Sequence, residues 1–260
     1  MAGATTQEEL VESQFGGQAS AYLSSAVHAS GADLDALVAT VHGMAGARVL
    51  DLGCGAGHVA FAAARHVGEV VACDLSPRML ETVASAAASR GIANLRTQQA
   101  SAERLPFADG EFDAVLSRFS AHHWRNMTAG LREASRVLRP GGLFGLVDAV
   151  SPGVPILDTH LQAVELLRDP SHVRDYTRAE WEAAMAGAGL IVTATERHRI
   201  RLEFDDWIAR MRTQAVLADA IRRLQHASPE DVARHFAIGA DGSFDLDVAL
   251  FRAVKPGGAD

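Results

Sequence analysis

Cysteine is scarce in this 260-residue sequence, which has only Cys54 and Cys73. Each falls in or at the end of an apolar run that reads as a buried strand. Two reduced, buried thiols are therefore expected, and no Cys/His spacing suits a metal site. A surplus of basic charge is also missing. Lys and Arg total 24 against 32 Asp and Glu, for a formal net charge of −8. A field of that sign does not attract phosphate backbones or anionic lipid, so no nucleic-acid partner is expected. Long hydrophobic runs are absent: none approaches the roughly 20 apolar residues that span a bilayer. Residues 1–9 carry neither the basic nor the apolar region of a secretory leader, and a cytoplasmic protein is expected. The chain is 48% hydrophobic, enough for the core of one embellished domain.

What is present is an alternation of strand-like and helix-like segments. Residues 1–46 read as helical, with Leu34, Leu37, Val38 and Val41 at helical spacing. Gly16 and Gly17 interrupt that zone, and a second helix carries Tyr22 and His28. From residue 48 the pattern changes. Strands are predicted over 48–54, 69–74, 95–101, 112–117 and 143–147, with helices over about 58–67, 77–90 and 128–138 between them. Ser76 and Pro77 open the second of these helices and Gly91 stops it. Pro140, Gly141 and Gly142 mark a turn. Helices follow over 156–167, from the capping box at Thr177 and Glu180, over 205–226 as one long helix, and from Ser228. Strands are predicted over 191–200 and 244–251. The last alternates apolar with acidic residues, the pattern of an edge strand or an exposed face. The sum is an α/β, Rossmann-like, doubly wound sheet of seven strands with the last antiparallel. A helical lid over 1–46 would precede a domain over 47–260, with cap insertions over about 151–190 and 203–240.

The most informative segment is the loop after the first strand, where Gly53, Gly55 and Gly57 follow Asp51 and surround Cys54. Glycines let such a turn close and let a ligand approach the backbone. Asp74 ends the next strand, where a carboxylate can accept hydrogen bonds from ribose hydroxyls. A dinucleotide loop needs a third glycine where this chain has His58. The acid at Asp51 suits a ligand bearing an amino group better than a pyrophosphate. The loop therefore favours S-adenosylmethionine (SAM) over a dinucleotide, without excluding the latter.

Residues 49–57 resemble motif I of the class I SAM-dependent methyltransferases. Residues 71–80, 99–107, 111–124 and 136–143 resemble the family's later motifs, in order. The nearest group by resemblance is the small-molecule one that includes the ubiquinone/menaquinone C-methyltransferases. The resemblance implies methyl transfer from SAM, with S-adenosylhomocysteine (SAH) as product, to a small-molecule acceptor by in-line displacement. It implies that Gly53, Cys54, Gly55 and Gly57 cradle the methionine part, with Asp51 supporting the loop or the ammonium. Asp74 would hold the ribose, and Leu75 and Met79 would line the adenine. Ser101 stands where the family often has an Asp for the adenine amino group, with the Ala102 amide and Glu103 beside it. Ser117 and Arg118 would reach the methionine end through backbone groups, and Tyr22 and His28 would touch the cofactor from the lid. A SAM-binding protein without methyl transfer is the alternative, and a nicotinamide-dependent dehydrogenase a further one.

The acceptor side is less legible. Candidates should lie past the carboxyl ends of the strands. His122 and His123 follow the fourth strand, one as a base and one facing the acceptor, and Asp148 near the end of the fifth could orient a histidine or the acceptor. Residues 169–176 place His172, Arg174 and Tyr176 around a proline turn. His172 is a second catalytic candidate, Arg174 a reader of an anionic group, and Tyr176 a substrate contact. No Asn/Asp-Pro-Pro-aromatic tetrapeptide occurs, which argues against methylation of a nucleobase amine. Both a monomer and a homodimer are compatible with the apolar stripe over 205–226.

Overall fold

The computed structural model describes residues 6–18 and 31–257; Tyr22 and His28 lie outside the described residues. Seven strands form one sheet: β1 (Arg48–Leu52), β2 (Glu69–Asp74), β3 (Leu95–Gln99), β4 (Phe112–Arg118), β5 (Leu138–Ala149), β6 (Ile191–Leu202) and β7 (Phe244–Val254). Their order is β3-β2-β1-β4-β5-β7-β6, with β7 antiparallel to both neighbours. The chain order reverses between β1 and β4. At such a switch point the loops leaving the two strands part and open a crevice at the carboxyl edge.

Strand alternation distributes the core. Val49, Val70, Ala114 and Leu116 point to one face, under helices α2 (Ala32–Val38), α3 (His58–Ala63), α4 (Pro77–Ser89) and α6 (Pro155–Arg168). Leu50, Val71, Val115 and Phe144 point to the other, under α5 (Met127–Val137) and α7 (Arg178–Gly187). The expected caps form. The Ser76 side chain accepts from Met79 N with Pro77 in the first turn of α4, and Thr177 and Glu180 make a reciprocal capping box.

Three expectations change. The long helix over 205–226 is two, α8 (Phe204–Arg210) and α9 (Ala215–His226), broken where Arg212 takes φ 50°. The turn at 140–142 lies within β5, where Gly141 takes φ 77°. Of the two alternatives for the last strand, the edge position does not hold: β7 is interior, and the sheet's edges are β3 and β6. The acidic alternation of β7 arises because Asp245 and Asp247 face Arg201 and Arg199 on β6, at 3.2 and 3.1 Å. Two more helices complete the described residues, α1 (Gln7–Phe15) before the sheet and α10 (Glu230–His235) before β7. No helix among the described residues is long and apolar enough to cross a membrane.

Candidate active site

The glycine loop after β1 is held from both sides. Gly53 N and Cys54 N donate to Cys73 O at 2.8 and 2.9 Å, which ties the loop to β2. Asp51 Oδ2 accepts from Ala60 N in the first turn of α3 at 2.9 Å. Asp74 clamps the next layer: Oδ2 accepts from Gly55 N at 2.8 Å and Oδ1 from Ser76 N at 2.9 Å. Gly53, at φ 70°, cannot be replaced without collision, since a Cβ there would sit 1.8 Å from Ser120 Oγ. Gly55, at φ 48°, faces open space, with no atom within 4 Å of the same position. Burial pushes the Asp51 carboxyl up to about 7, against the Ala60 N–H, and burial also raises Asp74 against the N–H groups it accepts.

This loop floors a cavity of about 170 Å³. Asp51, Gly53, Cys54, Gly55, Asp74, Leu75, Met79, Ser101, Ala102, Glu103 and Arg118 all line it, so the residues expected at the cofactor converge, with two exceptions. Ser117 is fully buried and donates to Leu52 O at 2.8 Å. Gly57 is the N-cap of α3, and a Cβ there would press Val83 at 2.9 Å. Two further lining groups, besides Asp51 and Asp74, are already engaged. Glu103 Oε1 accepts from Asn126 N at 2.7 Å, and Arg118 Nε donates to the buried Asp33 of α2 at 2.6 Å.

The sequence reading missed part of the wall. Gln7, Glu8, Val11 and Phe15 of α1 close one side. The signal was present, since residues 7, 11 and 15 fall on one helical face. Gln7 Nε2 donates to Ser171 O at 2.6 Å and Gln14 Nε2 to Met211 O at 2.8 Å, so α1 is tied across the site. Phe119, Ser120 and Trp124 were also missed. Phe119 takes φ 49°, a conformation an L side chain rarely adopts, just past β4. Only tertiary contact selects that backbone.

A second chamber of about 100 Å³ lies beyond, and Phe15, Phe119 and His123 belong to both walls. It is lined further by His122, Glu165, Arg168, Asp169, Asp175, Arg210 and a group of apolar side chains around Trp207. His122 Nδ1 lies 2.5 Å from Asp148 Oδ1, and Asp148 Oδ2 accepts from Ala121 N and His122 N. Burial alone would lower the His122 pKa, but the Asp148 carboxylate outweighs it and raises it to about 9. Burial and then the His122 charge push His123 down to about 4.

The segment over 169–176 is oriented differently from the expectation. Its acids, Asp169 and Asp175, line the chamber, while Arg174 and Tyr176 do not. Arg174 turns outward to Asp158 at 3.2 Å and Glu180 at 3.9 Å, and Tyr176 packs edge-on against Trp181. His172 sits behind the wall, bonded to Gln162 Oε1 at 3.0 Å and kept neutral by burial and the neighbouring charge of His122. Asp148 is also outside both walls, fully buried behind His122. An extended segment sends successive side chains to opposite sides, and Gln162 selects the side by bonding both Asp175 N and Asp175 O.

Residues 50–146 match the family model described as "Methyltransferase domain". YafE of Escherichia coli strain K12 is 48% identical over 199 residues, which is 76% of this chain and 96% of YafE. The uncharacterized methyltransferase YcgJ of Bacillus subtilis is 38% identical over 94% of this chain and 98% of its own. The crystal structure of YcgJ superposes with a TM-score of 0.83 over 87% of this chain and 99% of that one, at 34% identity. The ubiquinone/menaquinone biosynthesis C-methyltransferase UbiE of Ectopseudomonas mendocina is 37% identical over 43% of this chain and 45% of its own.

Proposed function

We propose that this chain, which belongs to the class I SAM-dependent methyltransferases, holds SAM in its first cavity and a small-molecule acceptor in the second chamber. The observation that carries this reading is the common wall: Phe15, Phe119 and His123 separate and join the two spaces. The first cavity suits a cationic nucleoside. Asp51 presents a buried carboxylate and Asp74 a half-buried one, and the space over Gly55 is where a side chain would otherwise stand.

In this reading Asp74 accepts from the ribose hydroxyls, Leu75 and Met79 pack the adenine, and Ser101 and Ala102 meet its polar edge. Gly53 to Gly55 run along the methionine part, with Asp51 beneath. Arg118 completes that end while Asp33 balances its charge. When bound, SAM supplies a methyl group on a sulfonium, and transfer in line leaves the neutral thioether SAH. The protein's contribution is position and field. His122, held cationic by Asp148, stabilises negative charge in the second chamber, and neutral His123 stands at the junction, able to accept a proton from an acceptor. The helix α1 serves as the lid, with the elements over about 151–190 and 203–240 as the cap over the acceptor.

Calorimetry with SAM, SAH and NADH tests this reading. SAM and SAH are expected to bind one per chain, and NADH not to bind. Binding of NADH alone would overturn it.

A further inference from the structure

The second chamber contains one buried carboxyl group without a hydrogen-bond partner among the described residues. Asp175 is 1% exposed and lines the chamber, and neither of its carboxylate oxygens has a hydrogen-bond partner. Its backbone is pinned on both sides by Gln162, at 3.1 Å through N and 2.8 Å through O. His172 Nε2, 3.9 Å from Asp175 Oδ2, is neutral and already bonded to Gln162.

The other acids of the chamber are engaged. Glu165 Oε2 lies 3.4 Å from Arg168 Nη1. Asp169 Oδ1 accepts from both Ser171 N and Ser171 Oγ, and its Oδ2 is 3.8 Å from His123 Nε2. Arg168 also donates to Trp207 O at 3.1 Å and lies over the Trp207 ring. The charge on His122 is balanced by Asp148, which lies outside the chamber. With Glu165 paired to Arg168 and Asp169 bonded to Ser171, Asp175 is left as the lining acid whose carboxyl makes no hydrogen bond.

Leaving an ionised carboxylate buried without a partner costs several kcal/mol. We infer that the acceptor of this enzyme carries a basic nitrogen, and that Asp175 binds it as an ammonium group within the second chamber. The rest of the lining describes the rest of the ligand. Ile200, Leu202, Met211 and Leu246 offer an apolar surface, and Trp207 offers an aromatic one, so the nitrogen sits on an apolar or aromatic body of modest size. Burial, with Glu165 adding to it, holds the Asp175 carboxyl well above the usual range, which favours the protonated form until a basic group pairs with it. A ligand that arrives as the neutral amine takes that proton and becomes the ammonium, leaving the carboxylate paired with it. The inference rests on the second chamber being the acceptor site of a SAM-dependent enzyme.

The test uses the full chain saturated with SAH, titrated calorimetrically with three probes of one shape: benzylamine, benzyl alcohol and benzoate. Benzylamine is expected to bind at least tenfold more tightly than either of the others. Asp175→Asn is expected to abolish that preference while the Kd for SAH stays within twofold. Equal binding of the three, a preference for benzoate, or a preference that survives Asp175→Asn would overturn the inference. Failure of the wild type to bind SAH would instead overturn the cofactor reading beneath it. Should Asp175→Asn not fold, the selectivity of the wild type alone decides.

Discussion

His122 and Asp148 are joined by a 2.5 Å contact between imidazole Nδ1 and carboxylate Oδ1, and the same carboxylate accepts the backbone N–H of His122. Asp148 thereby sets both where the imidazole points and what charge it carries. The pair stands at the edge of the second chamber with only the imidazole in its wall. A histidine held with a pKa of about 9 is a cation at neutral pH, so in the proposed reading its role is that of an electrostatic group and not a proton acceptor.

That assignment has a sign that can be measured. The folded-state pKa of His122 is raised from 6.5 to about 9. The stability it contributes is present in full below pH 6.5 and lost as pH rises through about 9. Urea midpoints of the wild type are expected to fall across this window, and to fall less in His122→Gln. In Asp148→Asn an NMR titration should show the His122 pKa dropping below 7. An unchanged value would remove Asp148 as its cause.

Gly53 is expected to tolerate no side chain. Gly53→Ala meets Ser120 Oγ at 1.8 Å and adopts φ 70°, costing about 2–4 kcal/mol from overlap and backbone strain together. The melting temperature should fall and SAH binding should weaken at least tenfold. Adding Ser120→Gly should recover part of the loss but not the part due to φ.

Asp74→Ala is expected to weaken SAH by about 10–100-fold, the range for losing one charged hydrogen-bonding group at about 1.5–3 kcal/mol. Because Gly55 N and Ser76 N lose their acceptor as well, thermal stability should fall with it. Calorimetry and a melting curve on one sample separate the two effects.

Gln7→Ala should loosen α1 without disturbing the sheet. Gln7 Nε2 donates to Ser171 O at 2.6 Å and to His123 O at 3.4 Å. Loss of about 1 kcal/mol is expected, seen as a roughly fivefold faster SAH release in stopped flow with an unchanged melting temperature.

Arg174→Ala is expected to be silent. Its guanidinium is a half-exposed partner of Asp158 and Glu180, and such pairs contribute about 0–1 kcal/mol. SAH affinity should stay within twofold, and benzoate should bind the variant no more weakly than the wild type.

The cofactor half of the site was legible because it is local. Asp51 lies in one strand, Gly53 and Gly55 follow it within a few residues, and Asp74 ends the next strand. Their types are dictated by backbone geometry and charge, which leave a pattern in one dimension. The capped helices and the strand alternation were legible for the same reason, and the alternation of β7 misled because its cause, the arginines of β6, lies on another strand.

The sequence by itself determined the seven-stranded α/β fold and the part of the first cavity's wall built on the glycine loop and the end of β2, since periodicity, caps and glycine positions each follow from residue type and near neighbours. Only the tertiary structure decided the acceptor side. Whether 169–176 turns Asp175 or Arg174 inward depends on Gln162, and the charge of His122 depends on Asp148 of another strand. Phe119 takes its left-handed conformation, and α1 crosses the site, through contacts that close only in space. Side-chain direction and pKa are set by whatever packs alongside, and sequence order carries no record of that.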